Sequence, residues 1–122
     1  MANSEEQAVR KVIQQYIDGT YHGDVKSLKD CFHPKAVMNG YLQERLHIGG
    51  PEPFFKNVED SPSMAKTGAP YKGEITFLDV IGNIASVTLK ETGYRNMHFT
   101  DYFHLLREQG KWKIISKAYT TE

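Results

Sequence analysis

Apolar residues at the start of the chain recur every three or four positions, which is the spacing of one face of a helix. Ser4 and Gln7 have the spacing of a capping box, a pattern that marks a helix start. The buried face of this predicted helix consists of Val9, Val12, Ile13, Tyr16 and Ile17. We expect the helix to begin at Ser4 and to end between residues 21 and 23.

Two shorter helices are predicted after it. Asp24 is a suitable N-cap for the second helix, and Pro34 ends that helix because the residue before a proline disfavours helical geometry. The third helix opens at Pro51, which is tolerated in a first turn, and it directs Phe55 inward. Two short extended segments and one flexible loop complete this half of the chain: residues 36–41, 45–48 and 61–70.

The second half of the chain alternates apolar and polar residues over long runs that short turns separate. These turns are too short to hold crossover helices, so consecutive strands are predicted to pair antiparallel. The four predicted strands cover residues 71–81, 84–92, 97–107 and 112–120.

Alternation also assigns the side chains of these strands to two faces. Phe99, Asp101 and Phe103 share one face of the third strand, which is apolar apart from its carboxylate. We expect this face to form the concave side of the sheet together with Trp112, Ile114 and Ser116 of the last strand. The outer face would carry Tyr102, His104, Leu106, Ile115 and Tyr119.

The composition narrows the classes of function. A chain of 122 residues with 39% apolar and 25% charged residues fits one globular domain, residues 1–122. Fifteen basic and fifteen acidic residues cancel, so the chain lacks the positive field that attracts nucleic acid or anionic membranes. No apolar run has secretory or membrane-spanning length, and the single cysteine, Cys31, forms no internal disulfide. We therefore expect a cytoplasmic protein with no nucleic-acid or membrane partner.

Three helices followed by a four-stranded meander, with one carboxylate on the apolar face of a late strand, resemble the nuclear transport factor 2-like superfamily. Residues 99–105 with 110–114 are the most specific part and look like the closing hairpin of its polyketide cyclase-like and lumazine-binding-like members. The resemblance implies an α+β fold, a cone or cystatin-like roll in which three N-terminal helices pack on a strongly curved antiparallel sheet. It also implies a small-molecule pocket and a homodimer, which would pair through the outer face of the sheet.

Residues 12–17, followed by Gly23 and Asp24, resemble the opening helix of the ketosteroid isomerases in the same superfamily. That resemblance places Tyr16 at an oxyanion-hole tyrosine and Asp101 at a protonated aspartic acid that donates a second hydrogen bond. Gly40 stands where the isomerases have their catalytic aspartate, and a glycine cannot accept a proton. We therefore expect no close ketosteroid isomerase activity.

Asp101 is the strongest candidate for chemistry, because a carboxyl among large apolar side chains loses hydration and its pKa rises. The predicted pocket consists of Tyr16, Met38, Phe55, Phe99, Asp101, Phe103, Trp112, Ile114 and Ser116. No two histidines have metal-ligand spacing, and we expect no metal and no cofactor.

Three functions are considered for this sequence. The first, which we take as the leading hypothesis, is a binding domain that holds a small organic molecule in an enclosed, partly apolar pocket. The second is an enzyme of the dehydratase, cyclase or isomerase type, in which Asp101 acts with Tyr16 or with a pocket histidine such as His47. The third is a protein-interaction adaptor. A second ionisable side chain within about 3 Å of Asp101, or one water away from it, would favour the enzyme, and a closed apolar pocket would favour the binding domain.

Overall fold

The computed structural model describes residues 4–122, and residues 1–3 of the predicted domain lie outside the described residues. Four helices and six strands occur within residues 4–122. In chain order they are α1 Ser4–His22, α2 Val25–Cys31, β1 Phe32–Leu42, β2 Arg45–His47, α3 Glu52–Asp60, α4 Met64–Thr67, β3 Lys72–Ile81, β4 Ile84–Tyr94, β5 Met97–Glu108 and β6 Lys111–Thr121.

The three predicted helices are confirmed. Helix α1 begins at Ser4 and ends at His22, where Gly23 takes the left-handed φ of 68° that side chains rarely adopt. The Asp24 carboxylate accepts a hydrogen bond from the Ser27 backbone N–H at 3.1 Å, as expected of an N-cap. Helix α3 starts directly after Pro51.

The six strands form one sheet in the order β2-β1-β6-β5-β4-β3. Strands β3 to β6 are the predicted antiparallel meander. Strand β1 is longer than predicted, since it begins at Phe32 instead of residue 36 and pairs parallel with β6. This pairing joins segments about 80 residues apart in the sequence, so a local pattern cannot reveal it. Helices α1 and α2 pack on one face of the sheet and bury its apolar side chains.

The prediction of a flexible loop over residues 61–70 is wrong in part. These residues contain the short helix α4, whose N-cap Ser63 accepts a hydrogen bond from the Lys66 backbone N–H at 3.0 Å. Met64 is buried against Tyr94 and Phe99, and this tertiary contact stabilises a helix too short to form alone.

The face assignment of β6 is wrong beyond its midpoint. The ladder between β5 and β6 shifts register at Ile115, which has no partner on β5. Such a bulge reverses the faces of every residue that follows it. Ser116 pairs with the exposed His104 and therefore lies on the outer face, not on the concave side. Lys117 and Tyr119 take the concave positions, although simple alternation assigns Tyr119 to the outer face.

Cys31 is buried at the end of α2 and forms no disulfide. Burial raises the pKa of its thiol to about 12, so the thiol stays protonated at neutral pH and is unreactive. None of the helices within residues 4–122 combines the length and the apolar character needed to cross a bilayer.

Candidate functional site

A cavity of about 240 Å³ lies between the helices and the concave face of the sheet. Its walls are largely aromatic, and the rings come from Tyr16, Phe54, Tyr94, Phe99 and Tyr119. The ionisable groups that reach it, apart from these tyrosines, are Arg45, His47, Glu91 and Lys117. The cavity is therefore suited to a small, partly apolar molecule with a polar end.

The structure brings together only some of the residues that the sequence analysis assigned to the pocket. Tyr16, Met38 and Phe99 line the cavity. The remaining large apolar residues of the predicted set lie in the protein core, away from the cavity surface: Phe55, Phe103, Trp112 and Ile114. Trp112 is also held by a hydrogen bond from its Nε1 to Glu5 Oε2 at 2.9 Å, in the first turn of α1. Ser116, on the outer face, takes no part in the cavity wall.

Lys117 is the centre of the polar wall. Its Nζ donates a hydrogen bond to the Tyr16 hydroxyl at 2.6 Å and lies 4.0 Å from Asp101 Oδ1. Lys117 is 5% exposed and Asp101 is fully buried. Lysine is seldom buried in this way unless it is paired, so this ion pair is an unusual feature of the fold.

Asp101 lies on the concave face, as predicted, but behind Lys117. It is not part of the cavity surface, and its ionisable neighbours are Lys117, whose Nζ lies 4.0 Å from Asp101 Oδ1, and the Glu91 carboxyl. Burial raises the pKa of Asp101 well above its ordinary value, the Lys117 charge opposes this shift, and the Glu91 carboxylate adds to it. Asp101 can therefore hold a proton at a pH where a solvated aspartate cannot.

Tyr16 is placed to donate a hydrogen bond to a ligand. Its oxygen accepts the hydrogen bond from Lys117, which leaves its own hydrogen free to point into the cavity. Burial raises the pKa of Tyr16 well above 10, with the negative charges of Glu91 and Asp101 adding to the effect. The phenol is consequently protonated at neutral pH and acts as a hydrogen-bond donor.

Glu91 supplies a carboxyl group directly to the cavity. It is 3% exposed and accepts a hydrogen bond from the Tyr71 hydroxyl at 2.5 Å. Glu91 and Asp101 lie on the same face of neighbouring strands, since Leu89 pairs with Asp101 and Glu91 pairs with Phe99. Tyr71 holds one carboxylate oxygen of Glu91, and the Asp101 carboxyl interacts with the same group from the neighbouring strand.

Gly40 leaves no room for a side chain. A Cβ there would lie 2.1 Å from the backbone oxygen of Tyr119 and 2.6 Å from its ring. Tyr119 lies opposite Gly40 on β6, which pairs with β1 at this point. Any proton acceptor of this pocket must come from another strand.

His47, the predicted pocket histidine, does reach the cavity. Its Nε2 lies 3.3 Å from the Gly50 carbonyl oxygen, so this nitrogen interacts with the backbone. Within residues 4–122, no three histidine, cysteine, aspartate or glutamate side chains cluster in a way that could hold a metal ion.

Two functional candidates escaped the sequence analysis. Lys117 was missed because the bulge at Ile115 reverses the faces of β6, and the adjacent isoleucines at 114 and 115 were the only local sign of a break in alternation. Glu91 could have been found, because it follows Val87 and Leu89 at the same two-residue spacing that places those apolar residues in the core.

Known proteins match the chain over nearly its whole length. A family model described as "Putative lumazine-binding" matches residues 4–120. A curated relative, named aldolase FrzH, from a Cladobotryum species is 26% identical over 123 residues, which cover 98% of this chain and 93% of the relative.

Solved structures share the architecture. A nuclear transport factor 2-like protein from Shewanella baltica OS155 superposes with a TM-score of 0.86 at 26% identity, over 98% of this chain and 94% of that chain. Another from Methylobacillus flagellatus KT superposes with a TM-score of 0.90 at 21% identity, over 100% of this chain and 95% of that chain. The predicted α+β fold is thereby confirmed.

Proposed function

The chain belongs to this lumazine-binding-like family of the nuclear transport factor 2-like superfamily, and we propose that its pocket binds a small, partly apolar carbonyl compound and transfers protons on it. The resemblance stated from the sequence is confirmed at the level of the superfamily and of this family. The observation that carries the proposal is the buried Lys117, hydrogen-bonded to Tyr16 at 2.6 Å on the wall of an otherwise aromatic cavity.

Binding alone would not need this polar wall. An aromatic cavity binds apolar molecules through burial of surface, whereas burying a lysine and two carboxyl groups costs free energy unless they contact something polar. Lys117 and Asp101 are 4.0 Å apart, beyond hydrogen-bonding distance, so their pairing compensates that cost only in part. Lys117 is a second ionisable group near Asp101, although their separation of 4.0 Å exceeds the direct contact of about 3 Å expected of an enzyme.

Tyr16 and Glu91 supply the two ends of a proton transfer. The Tyr16 hydroxyl donates a hydrogen bond to the carbonyl oxygen and stabilises negative charge that develops there. Glu91, with one oxygen held by Tyr71, accepts a proton from the carbon next to the carbonyl. In this arrangement β4 provides the base that Gly40 on β1 cannot provide.

The name of one relative supports the reaction class. FrzH is named an aldolase, and an aldol reaction makes or breaks a carbon–carbon bond next to a carbonyl group. Such a reaction needs the same proton donor and acceptor as the dehydration, cyclisation and isomerisation considered from the sequence. We propose an aldol-type reaction as the leading candidate within this group.

Hydrogen–deuterium exchange tests the proton transfer without knowledge of the natural substrate. Phenylacetone, a small aromatic ketone, would be incubated with the protein in deuterated buffer, and loss of its α-proton signals would be followed by NMR. We expect exchange above that of an equal concentration of free lysine. Glu91→Gln should slow the exchange about 100-fold or more, the usual contribution of a general base. Glu74→Gln, on the exposed face of β3, is the matched control and should not slow it.

Exchange no faster than with free lysine, or an unaffected Glu91→Gln variant, would contradict the proposal. Mass spectrometry of small molecules that remain bound through purification is an independent test of binding. A co-purified compound without a carbonyl group would contradict the proposed ligand class.

We also propose a homodimer that pairs through the outer face of the sheet. This face exposes a run of apolar side chains, including Tyr102 at 60% and Ile84 at 59% exposure, with Phe77 and Leu106 beside them. A patch of this kind needs a cover, and twofold pairing is the commonest one. The proposed location is the cytoplasm, a reducing compartment that suits a single buried thiol.

A further inference from the structure

Lys117 differs from every other lysine of this chain. The sequence has eleven lysines, all within the described residues, and Lys117 alone among them is buried. Its Nζ lies 5.0 Å from the ring centres of both Tyr16 and Phe54, and 5.2 Å from that of Tyr119. The amine therefore reaches the cavity from an aromatic wall that excludes most water.

A purely structural role explains this arrangement poorly. A buried ion pair that stabilises a fold needs close contact and hydrogen bonds to its remaining polar atoms. Lys117 and Asp101 are 4.0 Å apart, beyond hydrogen-bonding distance, and the Asp101 carboxyl interacts with the Glu91 carboxyl as well as with Lys117. The lysine instead directs its hydrogen bond to Tyr16, a residue that lines the cavity.

We infer that Lys117 is a nucleophile that forms a Schiff base with an aldehyde or ketone bound in the cavity. The inference rests on the proposed carbonyl ligand and deepens it, because it assigns a covalent intermediate to one atom. Lysine amines react in this way when a desolvated pocket presents them to a carbonyl carbon.

The step balances within the residues of this site. It starts with a neutral Lys117 amine and a protonated Asp101 carboxyl. In this state of the pair, the proton lies on the carboxyl group and not on the amine. The amine nitrogen attacks the carbonyl carbon, a C–N bond forms, and the C=O π electrons move to oxygen. One proton from the nitrogen and the proton of Asp101 leave with that oxygen as water, by way of the Tyr16 hydroxyl. The product is a protonated imine paired with the Asp101 carboxylate.

Asp101 takes part at the start and at the end of Schiff-base formation. Burial raises the pKa of Asp101, so its carboxyl group can hold the proton that this step consumes. After water has left, the Asp101 carboxylate compensates the positive charge of the imine. Glu91, on the cavity surface, can then remove the adjacent carbon-bound proton and produce the enamine that an aldol reaction requires.

Reductive trapping tests the inference on the intact protein. Benzaldehyde would be added with sodium cyanoborohydride, which reduces an imine to a stable secondary amine, and peptide mass spectrometry would locate the benzyl group. Lys113 is the internal control, because it lies on the same strand, is partly buried and contacts Asp30 instead of the cavity. We expect the initial labelling rate of Lys117 to exceed that of Lys113 at least tenfold.

Two further measurements separate chemistry from accessibility. Excess phenylacetone should protect Lys117 but not Lys113, because only Lys117 faces the cavity. Tyr16→Phe should reduce the labelling of Lys117 at least tenfold and leave Lys113 unchanged, with circular dichroism confirming that the variant folds. If Lys117 is labelled no faster than Lys113 in the wild type, the inference is wrong.

The outcomes distinguish this inference from the proposed function. Benzaldehyde has no α-protons, so its trapping does not depend on Glu91. Proton exchange of phenylacetone without labelling of Lys117 would leave the proposed function standing and overturn the Schiff base. Labelling of Lys117 without proton exchange would support the Schiff base and overturn the role given to Glu91.

Discussion

The stability of the protein should depend on pH through Asp101, and Asp101→Asn should remove that dependence. Desolvation is the main cause of the raised pKa of Asp101, and the Lys117 charge opposes it only in part. The substitution keeps the size and shape of the side chain and removes its ability to ionise. It therefore isolates the proton equilibrium from the packing.

The sign of the effect follows from the direction of the shift. Below the ordinary pKa of 3.8, the carboxyl is protonated in both the folded and the unfolded chain. Above it, the unfolded chain releases the proton and the folded chain retains it, so the stability of the wild type falls as pH rises until the folded-state pKa is passed. The loss approaches about 1.4 kcal/mol per pH unit for one proton. Between pH 5 and 7 the Asn variant should therefore gain stability relative to the wild type, by at most about 3 kcal/mol.

Urea unfolding between pH 5 and 8, followed by circular dichroism, measures this difference. Any constant cost of the Asn amide is the same at each pH and cancels from the slope. Asp79→Asn, on the exposed outer face of β3, controls for the loss of one unit of charge. If the Asn variant loses stability relative to the wild type as pH rises, Asp101 is ionised and firmly paired with Lys117, and the reasoning is refuted.

Three further predictions concern the rest of the fold. Gly40→Ala should lower the free energy of unfolding by about 1–3 kcal/mol, since its Cβ would overlap the Tyr119 backbone; an unchanged urea midpoint would show that β1 and β6 can move apart. The double variant Tyr102→Glu with Leu106→Glu should halve the mass measured by light scattering, and a wild type that is already monomeric at tens of micromolar would rule out the dimer. The wild type should not isomerise a β,γ-unsaturated ketosteroid in an absorbance assay, and a rate near that of a true isomerase would show that Gly40 is not the equivalent of the catalytic aspartate.

Periodicity in the sequence predicted the helices and strands of this fold well, because the spacing of apolar residues depends only on the local geometry of each element. The stripe from Val9 to Ile17 shows which face of α1 must be buried, and short turns allow only antiparallel neighbours in the second half. Where tertiary contacts extend an element, the same reasoning failed. Strand β1 begins at Phe32 because β6 pairs with it, and α4 is held by the burial of Met64.

The residues of the candidate site also fall into those that local patterns identified and those that depend on tertiary contacts. Asp101 and Tyr16 were found from the sequence, because strand alternation and the helical stripe both direct them to the core. Ser116 was placed on the wrong face, since alternation carries no information about a bulge that has not been detected.

The sequence by itself determined the α+β fold, the buried face of α1 and the presence of a carboxyl on the concave side of the sheet. Only the tertiary structure decided that Lys117 reaches the cavity, that it lies between Asp101 and the ligand space, and that Gly40 has no room for a base. Each of these depends on the register between β6 and its two neighbours. Register is set by pairing between distant segments, and a shift of one residue exchanges the two faces of a strand.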